Sequence, residues 1–467
     1  MMSFEIDGGS FRDPSGRVYS NGEEIIRVVS PNAAEEYAYA RDCGFILSLI
    51  EKEQLVNTQE IDLQNLEVVV PKNGIVLRHE KIPFISYPYE WSFSLLKAAA
   101  LLTLDLHIEA LKFGITMSDA TAYNVQFCGI KPIFIDVLSF RRYREGEVWI
   151  GHKQFCEQFL NPLLLRSIFG VPHNAWFRGN LEGIETSHLS RLIPCWKNFS
   201  FNIFSNVTLQ EKIQAKATLE KEKFVSAANR VKLPKNRFES MLMGMRRWVS
   251  RLKAKDTGLS LWQNYENQTS YENTEHEAKR KFISEFCSKI KPSTLWDIGC
   301  NAGEYSEVAL SGGAGRVIGF DVDHNAIELA YNRAKEKGLN FLPLYQDFAN
   351  PSPQQGWANV ERKSLEVRGG ADGLIALAFI HHLAIGRNIP LEILLNWIVS
   401  LSPYGVIEFV QKSDPKVKEL LSFREDIFSD YNQKNFENHL SLRARIIQSE
   451  IVSSSGRILY FYESQCR

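Results

Sequence analysis

Three aspartates, each closing an apolar run, carry the clearest chemistry in the chain. Asp297 lies in "TLWDIG", Asp321 in "RVIGFDVD" and Asp347 in "NFLPLYQDF". Each run reads as a short buried strand, and helix-like stretches such as "HNAIELAYNRAKEKG" lie between them. That alternation builds a parallel sheet with helices on both faces, whose ligands bind beyond the carboxyl ends of the strands. Gly299 permits a tight turn, and Gly303 opens the next helix, whose free N–H groups face an anion. Asp297 is placed to accept from an ammonium group, Asp321 from both hydroxyls of a ribose, and Asp347 from an adenine amino group. A ligand with ammonium, carboxylate, ribose and adenine is S-adenosylmethionine. Gly-x-x-x-Gly alone fits an ordinary turn as well, and the Gly-x-Gly-x-x-Gly of nicotinamide binders is absent. Acids at three successive strand ends decide for the methyl donor.

Methyl transfer from a sulfonium is an in-line displacement, so alignment and desolvation do most of the work, and a hydroxyl acceptor gains from a base. "FIHHL" places His381 and His382 just past the fourth strand, and Glu408 lies in the fifth, "YGVIEFVQ". These are the candidate catalytic residues, although a packed histidine or a hydrogen-bonded core acid explains each equally well. The long connection from Asn350 to Arg368 holds Trp357, Glu361 and Arg362, where acceptor contacts are expected in a lid. The chain ends in two strand-like runs around a Ser-Gly turn, "SLRARIIQSEIVSSSGRILYFYES". The fold expected is therefore α/β, a parallel Rossmann-like sheet closed by an antiparallel hairpin.

Over nearly its whole length this half resembles the class I S-adenosylmethionine-dependent methyltransferases. Asn301 stands where many members have the middle glycine of the cofactor loop. "DIGCNAGEYS", "GFDVD", "NPSPQQGW", "ER" and "ALAFIHHL" look more narrowly like methyltransferases grouped with the nodulation protein NoeA, a resemblance that extends into the N-terminal half. It implies Asp297, Gly299, Asn301, Gly303, Asp321 and Asp347 as cofactor-binding positions and leans towards a carbohydrate-type acceptor.

The N-terminal half carries a second constellation. In "ITMSDATAYNVQFCGIKPIFIDVLSF", Asp119 and Asn124 have the spacing of the protein-kinase catalytic loop, and Asp136 closes a short strand. In a kinase-like site Asp119 accepts a hydroxyl proton, while Asn124 and Asp136 hold magnesium against the phosphates of ATP. Arg27, in "EIIRVV", occupies the strand where a kinase has its lysine, with Glu35 and Glu36 on the next helix as partners. No clear Gly-rich phosphate loop is present, "EIDGGSFRDPSG" being a loose substitute, and Val137 and Leu138 stand where Phe-Gly would follow Asp136. An α+β, kinase-like domain is expected, serving acceptor recognition or Mg-ATP chemistry.

At 467 residues the chain exceeds one ordinary domain. The expected division is residues 1–250, a polar linker 251–274 and residues 275–467. Charge is balanced, 54 Lys and Arg against 55 Asp and Glu, and no Asn-Pro-Pro-aromatic motif occurs, so no nucleic-acid partner is expected. Seven scattered cysteines without a Cys-x-x-Cys pair suit buried thiols in a reducing compartment. With no signal sequence or span at the start, a soluble cytoplasmic protein is expected. The basic stretch of Arg246, Arg247, Arg251, Lys253 and Lys255, interleaved with Met241, Met243, Met245 and Trp248, reads either as a membrane-contacting helix or as one packed on its neighbour. The oligomeric state is not legible.

The reading is thus a methyltransferase for a small-molecule or glycan acceptor. Its rivals are a bifunctional kinase–methyltransferase and a non-catalytic S-adenosylmethionine-binding regulator.

Overall fold

The computed structural model describes all residues except 1–3, 63–67, 195–199, 213–231, 256–269, 423 and 466–467. Two compact units divide it, Met1–Thr257 with Gln354–Arg362, and Gly258–Pro353 with Lys363–Arg467. The excursion of Gln354–Arg362 into the first unit was not foreseen. Most of the expected linker lies outside the described residues.

The first unit opens with a five-stranded antiparallel sheet of order β1-β2-β3-β5-β4. The strands are β1 (Glu5–Ile6), β2 (Gly16–Ser20), β3 (Ile25–Val29), β4 (Thr58–Glu60) and β5 (Ile75–His79). Helices α1 (Pro31–Asp42) and α2 (Phe45–Glu51) lie between β3 and β4 in sequence. The apolar run "LEVVVP" reads as a strand by composition, yet its described part, residues 68–71, is irregular and the rest lies outside the described residues. Helix α3 (Phe93–Lys112) starts at Ser92, whose hydroxyl accepts from the Leu95 N–H, and buries an apolar stripe from Leu95 to Leu111.

Beyond α3, two nested pairs follow. Strand β6 (Ile115–Met117) pairs with β9 (Phe140–Arg142), and inside them β7 (Val125–Cys128) pairs with β8 (Lys131–Phe134). Nesting is what brings residues on both sides of the hairpin together. Helix α4 (Lys235–Arg251) carries the basic stretch; Phe238, Leu242, Met245 and Val249 are buried on one face, and Arg246 ion-pairs with Asp105 of α3. That favours the packed-helix reading over membrane contact.

The second unit holds a seven-stranded sheet of order β12-β11-β10-β13-β14-β16-β15. Strands β10 (Thr294–Ile298), β11 (Arg316–Asp321), β12 (Phe341–Tyr345), β13 (Gly373–Ala376) and β14 (Tyr404–Phe409) run parallel. Strand β16 (Ile458–Ser464) inserts antiparallel between β14 and β15 (Ala444–Ile451). Central strands of such a sheet are covered on both faces, which is why β13 reads as an unbroken buried apolar run and β10 is buried from Leu295 to Ile298. This is the class I methyltransferase order, with the reversed last pair expected from the Ser-Gly turn. Helix α5 (Ser270–Ile290) precedes β10, α6 (Glu304–Ser311) and α7 (His324–Lys337) follow β10 and β11, and α8 (Ile380–Ala384) follows β13. Among the described residues, no helix is long and apolar enough to cross a membrane.

Candidate functional site

The end of β10 builds the first half of a cradle. Asp297 is 2% exposed, and its Oδ2 accepts a 2.6 Å hydrogen bond from the Ser306 hydroxyl on α6. Burial pushes its pKa up to about 7, the Ser306 bond opposing and the Asp321 charge adding to the rise. A buried carboxyl held near neutrality is poised for a cationic partner. Gly299 and Gly303 have φ of 78° and 77°, a region in which L side chains are strained. A Cβ at Gly303 would stand 2.5 Å from the Phe341 ring, so Gly303→Ala is expected to cost roughly 2 kcal/mol. A denaturant melt showing a fall of at least ~1 kcal/mol checks this.

Asn301 also lies in the left-handed region, with φ of 47°. Asn tolerates that conformation better than other side-chain-bearing residues, which explains how it replaces a glycine here. Its N–H donates to Asp321 Oδ2 at 2.9 Å, and the Asp323 N–H donates to Oδ1 at 2.9 Å. These bonds fix the Asp321 carboxylate at the tip of β11 and leave each oxygen a further lone pair for a diol. Burial raises the Asp321 pKa, with those backbone bonds pulling the other way. Asp347 lies past the end of β12; its Oδ1 accepts from the Ala349 N–H at 2.9 Å and its Oδ2 is 3.3 Å from Arg387. The register of β10, β11 and β12 thus lines up the three acids along one sheet edge. These three carboxylates are acceptors that could hold the ammonium, ribose hydroxyls and adenine amino group of S-adenosylmethionine.

His381 and His382 sit on α8 with rings 4.2 Å apart. Burial lowers both pKa values, His382 to about 4, so both imidazoles are neutral around pH 7. His381 is 1% exposed, and its Nδ1 has no hydrogen-bond partner among the described residues. Glu408 is fully buried, but it is held on both oxygens. Oε2 accepts from the Ala378 N–H at 2.8 Å, and Oε1 is 2.9 Å from Lys279 Nζ. Lys279, on α5, gave no signal in sequence because a lysine on a polar helix reads as surface. Nor did His276, whose Nδ1 lies 3.1 Å from the hydroxyl of Tyr305 at the start of α6.

The residues expected in an acceptor lid pack within the first unit. Gln354–Arg362 belongs to the first unit. Gln355 and Arg362 exchange two backbone hydrogen bonds of 3.0 Å, Trp357 stacks on Phe11, and Glu361 pairs with Arg12. The Arg362 guanidinium lies 3.9 Å over the Tyr123 ring.

In the first unit, nested pairing brings Asp119, Asn124 and Asp136 together. The Ser118 N–H donates to Ser139 O, and the Ile135 N–H to Asn124 O. Asp136 accepts from Arg27, the Leu138 N–H and the Ser139 hydroxyl. Burial works to raise its pKa, yet the Arg27 charge and these bonds hold it below the usual carboxylate value. Burial and the Asp136 charge push Asp119 the other way, upward. Arg27 does not pair with Glu35 and Glu36 as expected; both of those bind Arg142 on β9, and Arg27 bridges Asp13 and Asp136. Arg27 points towards the nested hairpins, while α1 turns its acids to β9. Among the described residues, no group of three His, Cys, Asp or Glu side chains is arranged to hold a metal ion.

No family model matches the chain. The nodulation protein NoeA of Rhizobium meliloti (strain 1021) is 43% identical over 455 residues, covering 97% of this chain and 95% of that protein. The chain belongs to the NoeA family. The likeness spans both units, so the Asp119 constellation lies within the NoeA match as much as the methyltransferase sheet does. Among solved structures, the N-methyltransferase NodS from Bradyrhizobium japonicum WM9 is 14% identical, covering 41% of this chain and 97% of its own, at a TM-score of 0.31. Magnesium protoporphyrin IX methyltransferase from Synechocystis PCC 6803, with bound SAH, is 18% identical, covering 48% and 95%, at 0.31. Scores this low carry no functional weight, and the fold assignment for this NoeA-family chain rests on its strand order.

Proposed function

We propose that the protein is an S-adenosylmethionine-dependent methyltransferase that modifies a hydroxyl or amine on a small-molecule or carbohydrate-type acceptor. The observation that carries this reading is Asp297, a buried carboxyl beside two left-handed glycines and in line with Asp321 and Asp347. Asp297 holds the ammonium of the methyl donor, Asp321 its ribose and Asp347 its adenine, and the N-terminus of α6 faces its carboxylate. When bound, the donor supplies an electrophilic methyl group on a sulfonium. The apolar Phe379 and Phe348 beside the turn exclude water from that group. His382, neutral near pH 7 and less enclosed than His381, takes the acceptor proton, a role that Glu408 cannot share while both its oxygens are engaged.

The test is incubation with methyl-labelled S-adenosylmethionine and panels of oligosaccharides, polyols and amines. Label in one class of acceptor, with stoichiometric S-adenosylhomocysteine, supports the reading. Saturable cofactor binding without transfer to any acceptor favours a regulatory S-adenosylmethionine-binding protein.

A second reading is favoured by the convergence of Asp119, Asn124 and Asp136, the kinase-like arrangement in which Mg-ATP serves the first unit. On that reading, calorimetric titration of Mg-ATP gives saturable, magnesium-dependent binding that Asp136→Ala abolishes. No heat of binding, in a sample that still binds S-adenosylmethionine, leaves the first unit as an acceptor-recognition domain.

A further inference from the structure

Glu408 is the hub of a buried ionic cluster. Its Oε1 is 2.9 Å from Lys279 Nζ and 3.6 Å from Arg457 Nη1. Lys279 Nζ is also 2.8 Å from Glu275, one turn earlier on α5, and Arg457 binds Asp414 through two of its nitrogens, at 2.8 and 3.2 Å. The other Glu408 oxygen holds the N–H of Ala378, a residue with φ of 46°. An alanine in the left-handed region carries a penalty of roughly 1–2 kcal/mol, and persists where its surroundings fix it. The next residue, Phe379, is packed so closely on the cofactor turn that a Cβ at Gly299 would stand 3.1 Å from its ring. A continuous path of contacts therefore runs from helix α5, through Lys279 and Glu408, to Ala378, Phe379 and Gly299.

We propose that Lys279 and Glu408 form a positioning pair that sets the cofactor turn from helix α5, so that the seating of that helix controls cofactor affinity. The proposal rests on the methyltransferase reading and deepens it. Neither residue touches reacting atoms. Lys279 anchors α5 to the sheet, and Glu408 transmits that anchorage by fixing the backbone after β13. The alternative, a pair that only stabilises the fold, predicts effects on melting temperature that leave affinity alone.

The experiment titrates S-adenosylhomocysteine calorimetrically into the full chain. It compares wild type, Lys279→Arg, the double variant Lys279→Met/Glu408→Gln, Phe379→Ala, and the triple variant combining them, with a thermal melt of each. The double variant leaves no lone buried charge and keeps an acceptor for the Ala378 N–H, so it is expected to fold. It is expected to bind roughly tenfold more weakly, and Lys279→Arg within threefold of wild type. Adding Phe379→Ala to the double variant is expected to lower affinity little further, because both break one path. Double-variant binding within twofold of wild type, or losses that multiply towards a hundredfold in the triple variant, overturns the proposal. A wild type that binds no S-adenosylhomocysteine at all overturns the methyltransferase reading instead, and this inference falls with it.

Discussion

Asp297→Asn is expected to weaken S-adenosylmethionine binding by roughly 10- to 100-fold, the worth of a hydrogen bond to a charged group. The amide keeps the shape and the Ser306 contact but cannot offer a negative charge to the ammonium. The same carboxyl makes wild-type binding depend on pH. With its pKa pushed up to about 7, Asp297 is largely protonated in the empty site at pH 6 and ionised at pH 8. Affinity is therefore expected to rise about fivefold between pH 6 and 7 and about tenfold in all by pH 8, levelling off above, with a proton released on binding at the lower pH. For stability the sign is opposite. A carboxyl whose folded pKa exceeds its unfolded value favours the fold while protonated, and that advantage is lost as pH rises from about 4 through about 7. Asp297→Asn should consequently leave the empty protein more stable at pH 8, by up to a few kcal/mol. Isothermal titration and denaturant melts at both pH values read these together. A binding constant unchanged by the substitution contradicts the role given to Asp297.

Arg27→Met is expected to be the most damaging substitution in the first unit. Arg27 is 6% exposed, and its guanidinium bridges Asp13 and Asp136. Removing one member of a buried pair strands the other charge, at about 3–5 kcal/mol. For a unit of this size that lowers Tm by on the order of 10 °C. Adding Asp136→Asn to Arg27→Met should recover much of the loss, because the more buried of the two stranded charges disappears. Differential scanning calorimetry of the wild type and the two variants decides. A loss below about 1 kcal/mol for Arg27→Met would mean that water or another cation reaches Asp136.

What was legible in the sequence was local. Asp297, Asp321 and Asp347 declared themselves because each ends an apolar run, and strand length and turn chemistry act over a few residues. The terminal hairpin was equally plain from its Ser-Gly turn. The order of β7, β8 and their neighbours was legible enough to suggest that Asp119, Asn124 and Asp136 meet.

Partners set by long-range packing were not legible. Arg27 and Asp136 stand 109 positions apart, and sequence proximity favoured Glu35 and Glu36 instead. Lys279 gave no sign of its burial against Glu408, since a helix of mixed charge does not say which lysine turns inward. The first-unit packing of Gln354–Arg362 was hidden for a related reason. The segment is long for a connection within an α/β sheet, which fits a lid, yet Gly8 is packed so that a Cβ there would stand 2.3 Å from Val360 O. A close backbone approach of that kind leaves no periodic trace in either partner.

The central claim is that the second unit holds S-adenosylmethionine through a buried carboxyl at the end of β10. The most direct test is calorimetric titration of S-adenosylmethionine into the full chain at pH 6, 7 and 8. Saturable one-site binding that strengthens about tenfold from pH 6 to 8, most of it below pH 7, and is weakened in Asp297→Asn, is the predicted result. No binding at any of the three pH values, or binding that Asp297→Asn leaves untouched, would contradict it.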